Sequence, residues 1–198
     1  MDYAIVGFGP VGQALARMFA RQSMDVKVAS RRPPADHAAQ AAAIGPTVRP
    51  VPLAEALAAQ TVLLAVPFRQ IDALAAAVDW QGKIVIDATN AYGVPVEDLG
   101  GQPSSEVTAR KLAGSRLVKA LNHLPAAKLA ADPSVQGGRR VIFVSSDDAE
   151  AAAAVSELAE RLGFAAVALG GLAEGGTLVQ ARGESWAPLI FQDLVKFA

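Results

Sequence analysis

The chain contains no cysteine, which removes disulfide frameworks, thiolate metal centres and cysteine nucleophiles together. Neither sign of charge is in excess. Eighteen basic residues against nineteen acidic ones leave a formal charge of −1, so no field for nucleic acid is expected. Long apolar runs are missing too: the longest, such as Thr61–Phe68, fall far short of the ~20 residues that cross a bilayer. The opening Met1-Asp2-Tyr3 lacks the basic region of a signal peptide and runs straight into apolar sequence. No membrane partner is expected, and the expected compartment is the cytoplasm. Aromatic residues make up only 6% of the chain, and there are two histidines. No Ser-His-Asp group, paired carboxylates or metal-ligand cluster stands in a plausible context, so no metal site and no catalytic side chain is assigned.

Alanine is abundant, at 42 of 198 residues, and the apolar 52% is therefore rich in small helix formers. At ~100–200 residues per domain, the length fits a single domain. Six short runs carry near-continuous apolar sequence: Asp2–Val6, Asp25–Ala29, Thr61–Ala65, Lys83–Asp87, Arg116–Ala120 and Arg140–Val144. Thr47–Val51 and Ala165–Leu169 are weaker examples. Continuous apolar runs imply strands covered on both faces, as in a parallel sheet. Between them lie helical stripes: Val11, Leu15, Met18 and Phe19; Ile71, Leu74 and Val78; Val155, Leu158 and Leu162. This alternation predicts an α/β fold with a doubly wound, mostly parallel sheet. Residues 1–170 form the dinucleotide-binding domain of that reading, and 171–198 form a short C-terminal tail. The stretch from Tyr92 to Ser105, rich in Gly, Pro and Ser, reads as a loop.

The motif that carries most chemistry is Gly7-Phe8-Gly9-Pro10-Val11-Gly12. It follows a predicted strand and opens an amphipathic helix, the context a dinucleotide fingerprint requires. Gly7 serves the tight turn, Gly9 lets backbone approach a pyrophosphate, and Gly12 lets the helix pack on the strand. The second strand then ends in Ser30-Arg31-Arg32, where an NAD-binding chain would carry an acid for the ribose 2′-hydroxyl. A hydroxyl and two guanidiniums suit a 2′-phosphate, so the expected cofactor is NADP. Two further strand ends would continue the cofactor path. Ala65-Val66-Pro67, with Phe68, would lie near the adenosine half, or simply stop a strand at Pro67. Thr89 and Asn90 would face the nicotinamide ribose, although Asn90 equally suits a turn before Gly93. A fifth strand end places Asn122, His123 and Leu124 where a hydride acceptor must lie. His123 is equally consistent with a loop cap. His37 reads as solvated, and Lys27, Arg139 and Arg140 as surface charge. Trp186 either lines the pocket of a flat acceptor or pins the C-terminal tail, with pinning the favoured reading.

These pieces resemble the NADPH-dependent oxidoreductase family typified by the deazaflavin-dependent NADP reductases, and the cytosolic NADPH domain of the six-transmembrane metalloreductases. The resemblance runs through Gly7–Gly12, Ser30-Arg31-Arg32, Asp87–Asn90, the Ser105–Leu112 helix, Val118–Pro125, and Asp147 to Phe164. It implies that Ser30, Arg31 and Arg32 hold the 2′-phosphate. It also implies a deazaflavin over the nicotinamide, contacted by Asn122, His123 and Leu124. The deazaflavin reductases typically carry His-Thr-Ile-Pro at that loop, a pattern from which Asn122-His123-Leu124-Pro125 departs.

The function that follows is hydride transfer between NADPH and a flat redox acceptor, a deazaflavin or a flavin. Such transfer needs orientation and water exclusion more than a dedicated acid or base. Two alternatives stand beside it: reduction of a small carbonyl or imine in a site completed by a dimer partner, and a non-catalytic NADPH sensor. A homodimer is expected from the apolar tail Leu189, Ile190, Phe191, Leu194, Val195 and Phe197, unless that tail packs on its own sheet.

Overall fold

The computed structural model describes residues 2–197. Its nucleotide-binding half alternates strictly: β1 (Tyr3–Val6), α1 (Pro10–Arg21), β2 (Val26–Ala29), α2 (Ala38–Ile44), β3 (Val48–Pro50), α3 (Leu53–Leu57), β4 (Thr61–Leu64), α4 (Ile71–Ala75) and β5 (Ile84–Asp87). A two-residue strand β6 (Ala91–Tyr92) follows, then α5 (Ser104–Lys111), β7 (Arg116–Ala120), α6 (Ala126–Ala130), β8 (Ser134–Val135) and β9 (Gly138–Ser145). The chain continues through α7 (Ala149–Arg161), β10 (Ala165–Ala168), α8 (Glu174–Leu178), β11 (Ala181–Gly183), β12 (Ser185–Trp186) and β13 (Val195–Lys196).

The main sheet runs in the order β3-β2-β1-β4-β5-β7-β9-β10. Every neighbouring pair in that order is parallel except β7 with β9. The exception has a local cause. Gln136 and Gly137 both adopt left-handed backbone, at φ 50° and 86°, and close a tight hairpin between Val135 and Gly138 that turns the chain back. All eight strand runs expected from the sequence occur as strands.

Helices cover both faces, and the strands divide their side chains between them. Ile5, Leu63, Ile86 and Val118 pack with Leu15, Phe19, Val155 and Leu158 under α1 and α7. Their sequence neighbours Val6, Val62, Val85 and Leu117 pack on the opposite face with Leu57, Ile71, Leu74 and Val107. That alternation is the period of two of a strand, acting within runs that are apolar on both sides. Pro10 occupies the first turn of α1, where a missing N–H costs nothing. Asp148 caps α7, its side chain accepting from the Ala151 N–H at 2.9 Å. Among the described residues, no helix is long and apolar enough to cross a membrane.

The C-terminal segment folds back rather than hanging free. β11 pairs with β6 and β12 in a second small sheet, and β13 pairs antiparallel with β9. Arg140, expected on the surface, is instead buried in this junction. Its guanidinium donates to Asp193 Oδ1 at 2.5 Å and to the Asp132 carbonyl at 2.7 Å. The tail thus satisfies the alternative of packing on its own sheet, with Leu194 and Phe197 still exposed.

Candidate functional site

The carboxyl ends of β1, β2, β4, β5 and β7 open into one cleft of about 620 Å³, where crossovers leave the sheet in opposite directions from β1 and β4. The β1–α1 loop forms its floor. Gly7 adopts φ +102°, and a Cβ there would stand 2.2 Å from the Ala65 carbonyl oxygen. A Cβ on Gly12 would stand 1.8 Å from the Gly7 oxygen, so both glycines are required by the fold itself. Gly9 differs. Nothing lies within 4 Å of its missing Cβ, so its bareness leaves space in the cleft rather than within the protein. Gly9 also begins α1 without any side-chain cap, leaving first-turn N–H groups directed at whatever fills that space.

At the β2 side, Ser30, Arg31 and Arg32 line the cleft together. Both guanidiniums are exposed, and neither is engaged by a protein carboxylate among the described residues. Ser30 Oγ accepts from the Arg32 backbone N–H at 3.0 Å and bonds His37 Nε2 at 2.6 Å. His37 is a correction to the sequence reading. It was expected in solvent, yet it is 1% exposed, with its ring edge-on to Phe8 at 5.3 Å between centroids. Pro33 and Pro34 turn the chain after β2 and return this side chain to the cleft wall.

The β4 end contributes Ala65, Val66 and Pro67. Phe68 turns away into the core, with Lys111 Nζ 5.7 Å from its ring centre. At the β5 end, Thr89 and Asn90 reach the wall through a support the sequence reading missed. Lys119, wholly buried on β7, donates to Asp87 Oδ2 at 3.2 Å and to the Thr89 carbonyl at 2.5 Å. The other oxygen of Asp87 accepts from the Thr89 N–H at 2.9 Å. Burial pulls the Lys119 ammonium below its ordinary pKa, and Asp87 opposes that pull. A lysine inside the otherwise apolar run Leu117–Leu121, opposite a strand-ending aspartate, was the available signal.

Asn90 and Asn122 meet at the far wall. Asn90 Nδ2 donates to the Asn122 carbonyl at 2.9 Å, and Asn122 Nδ2 donates to Asn90 Oδ1 at 3.1 Å and to the Val179 carbonyl at 2.6 Å. Thr89 Oγ1 and Asn122 Oδ1 have no protein partner. Leu124 lines the cleft, but His123 does not. Its ring packs against Phe143 at 4.8 Å and its Nε2 lies 3.2 Å from the Val141 carbonyl, on the far side of β7. The segment after β7 is irregular, with Leu121 in left-handed backbone at φ 64°, and its path turns Leu121, Asn122 and Leu124 to the cleft and His123 away from it. Burial holds the His123 pKa down to about 4 against small opposing effects from the Val141 carbonyl and Asp193.

The C-terminal segment closes this end. Phe191, at φ +60°, donates its N–H to the His123 carbonyl at 2.6 Å and lines the cleft with Tyr92. Trp186 lies between them, with ring centres 4.9 Å from Phe191 and 6.2 Å from Tyr92. Trp186 is 59% exposed, and its contact with Phe191 ties it to the C-terminal segment. The three rings make an aromatic ledge at the cleft mouth.

Residues 2–91 match the family model for coenzyme F420-dependent NADP oxidoreductases. Over 99% of its length, the chain also superposes on the crystal structure of the hypothetical protein SMa0349 from Sinorhizobium meliloti, with a TM-score of 0.91 and 41% identity. That match covers 96% of the other chain. A second structure, from Arthrobacter sp. FB24 and assigned as an F420-dependent NADP-reductase, gives a TM-score of 0.73 at 28% identity, covering 87% of this chain and 86% of that one. The nucleotide-binding part of this chain, residues 2–91, thus carries the pattern of the F420-dependent NADP oxidoreductases. The chain is also 30% identical over 175 residues to the metalloreductase STEAP3 of Rattus norvegicus, of whose length the match spans 34%.

The cleft fits NADP, the cofactor named by the family whose model matches residues 2–91. Gly9 leaves room for a pyrophosphate, Arg31 and Arg32 are unclaimed cations, and Thr89 Oγ1 and Asn122 Oδ1 lack partners in the opposite wall. The family model ends at Ala91, so the Asn122 wall and the aromatic ledge lie outside the part it describes.

Proposed function

We propose that the protein binds NADPH along this cleft and transfers a hydride between it and a flat redox acceptor, a deazaflavin or a flavin, seated on the ledge of Tyr92, Trp186 and Phe191. The observation that carries the reading is the chemistry of the walls. Among the described residues, no carboxylate and no lysine lines the cleft, and the acceptor end is bounded by amides, a hydroxyl and aromatic rings. Acid–base work has few candidates there, whereas stacking has three.

The side chains divide the task. Gly9 and the start of α1 hold the pyrophosphate, and Ser30, Arg31 and Arg32 hold the 2′-phosphate. Ala65, Val66 and Pro67 form an apolar wall for the middle of the cofactor. Thr89 Oγ1 and Asn122 Oδ1 offer the unused hydrogen-bonding capacity that a nicotinamide carboxamide and its ribose would take. When bound, NADPH supplies a two-electron hydride from its nicotinamide ring. Lys119 and Asp87 keep the Thr89–Asn90 loop in place beneath it, and Leu124 and Phe191 keep water from the acceptor end. The exposed Leu194 and Phe197 support association of two copies, which sedimentation would read.

A second reading rests on Tyr92, the one titratable side chain of the ledge. Partial burial raises its pKa above the ordinary 10.0, so it stays protonated at neutral pH and would serve as proton donor to a small carbonyl or imine. The two readings separate on one variant. NADPH oxidation is followed at neutral pH with a deazaflavin, a flavin, a ferric chelate, and a small ketone–amine pair as acceptors. The first reading expects turnover with a deazaflavin or flavin, largely retained in Tyr92→Phe. Turnover only with the ketone–amine pair, abolished in Tyr92→Phe, would replace it with the second. Tight NADPH binding with no turnover by any acceptor would leave the protein a sensor.

A further inference from the structure

His37 has no role in the reading above, although it is the most buried polar side chain of the cleft wall near the β2 end. Counting hydrogen bonds gives it one. Ser30 Oγ carries two lone pairs and a single hydrogen. One lone pair is taken by the Arg32 backbone N–H, at 3.0 Å. The 2.6 Å contact with His37 Nε2 then decides what remains. If Nε2 is bare, Ser30 spends its hydrogen on the ring and presents only a lone pair to the cleft, which repels a phosphate oxygen. If Nε2 carries the hydrogen, both lone pairs are filled and the Ser30 hydroxyl is left as a free donor. His37 Nδ1 is buried with no partner, so no protein acceptor holds the hydrogen at that nitrogen instead.

We infer that His37 is the positioning residue that sets the 2′-phosphate preference of this cleft, by donating from Nε2 to Ser30 Oγ and turning the Ser30 hydroxyl outward. The inference rests on the assignment of Ser30, Arg31 and Arg32 to the 2′-phosphate. A phosphate accepts only, and therefore needs the outward donor. The 2′-hydroxyl of NAD both donates and accepts, so it is served by either arrangement. His37 thus acts on discrimination between the two cofactors rather than on adenosine binding as such.

The test is equilibrium binding of NADP⁺ and NAD⁺ by calorimetry, with no acceptor present, to the wild type and to His37→Phe, His37→Gln, Ser30→Ala and the Ser30→Ala/His37→Phe pair. His37→Phe keeps a ring beside Phe8 and removes the donor. It should lower NADP⁺ affinity about tenfold, the scale of one charge-assisted hydrogen bond, and leave NAD⁺ within about twofold. His37→Gln, which restores an N–H donor, should recover most of that loss. In the Ser30→Ala background, His37→Phe should change nothing further. Equal losses for both cofactors, or an undiminished effect without Ser30, would overturn the inference. Ser30→Ala alone must also cost NADP⁺ about tenfold, so the inference fails on that variant even if His37→Phe does not fold. Arg31→Ala/Arg32→Ala serves as the reference. If it leaves the NADP⁺/NAD⁺ ratio unchanged, the 2′-phosphate assignment itself has failed. If it collapses the ratio while the His37 variants do not move it, only the role of His37 is lost.

Discussion

Single residues carry the proposed cofactor preference, and they were only partly visible in the chain. That Ser30-Arg31-Arg32 would line the cleft could be read because the end of the second strand is where a dinucleotide ribose lies in such folds, so position gave ordinary residue types a meaning. His37 could not, because its burial depends on the Pro33-Pro34 turn folding it back seven residues onto Ser30. His123 lies away from the cleft for a similar reason: the irregular turn after β7, with Leu121 at φ 64°, directs its ring toward Phe143, which local sequence does not reveal. Two outcomes belong to this scale. Replacing Arg31 and Arg32 together with alanine should weaken NADPH by roughly 10²-fold or more and NADH by much less, at ~1.5–3 kcal/mol for each charge-assisted contact. Equal weakening in fluorescence titrations of the two cofactors would contradict the assignment. His123 makes stability depend on pH. The unfolded imidazole takes its proton near 6.5 and the buried one only near 4, so the unfolded state binds more protons between those values. Stability should therefore fall by about 3 kcal/mol as pH drops from 6.5 to 4. Urea melts across that window should show a shallower loss in His123→Gln, which keeps a donor for the Val141 carbonyl.

At the scale of elements, the strands were the most legible feature, because a strand buried on both faces leaves a continuous apolar run that few other structures produce. The short strands were not legible. β6, β11 and β12 are two or three residues long, and their pairing is decided by the return of the chain rather than by their own side chains. The junctions between elements offer sharper tests than the elements do. Gly12→Ala would force α1 away from the Gly7 carbonyl and should destabilise the fold by several kcal/mol, whereas Gly9→Ala meets open space and should fold normally. Gly9→Ala should nevertheless bind NADPH less tightly, a separation that thermal melts and cofactor titration measure on the same pair of proteins. The β5 and β7 ends are joined by Lys119 and Asp87, both fully buried. Lys119→Met leaves that carboxylate unpaired in the core and should cost on the order of 3–5 kcal/mol in denaturant melts. Part of that loss should return in Lys119→Met with Asp87→Asn. No recovery in the double variant would mean that the lysine acts on Thr89 alone.

On the scale of the whole molecule, the sheet shapes the cleft proposed for the nucleotide, and the C-terminal segment shapes the end proposed for the acceptor. The first was legible because it is built from local motifs in fixed order. The second was not, since Tyr92, Trp186 and Phe191 are far apart in sequence and meet only through the pairing of β11 with β6 and the contact of Phe191 with the His123 carbonyl. Removing the Trp186 ring should therefore touch the acceptor and spare the cofactor. Trp186→Ala is expected to raise the acceptor KM about tenfold, the scale of a lost stacking contact of ~0.5–1.5 kcal/mol together with its buried area, with NADPH affinity unchanged. Direct hydride passage from nicotinamide to a flat ring is the central proposal. The measurement that tests it most directly uses NADPH deuterated at nicotinamide C4, on each face in turn, with an oxidised deazaflavin whose C5 hydrogen does not exchange with water. The account predicts that one deuterated face delivers its label to C5 of the reduced deazaflavin. Reduced deazaflavin without label from either face, or bound NADPH that is never consumed, would contradict it.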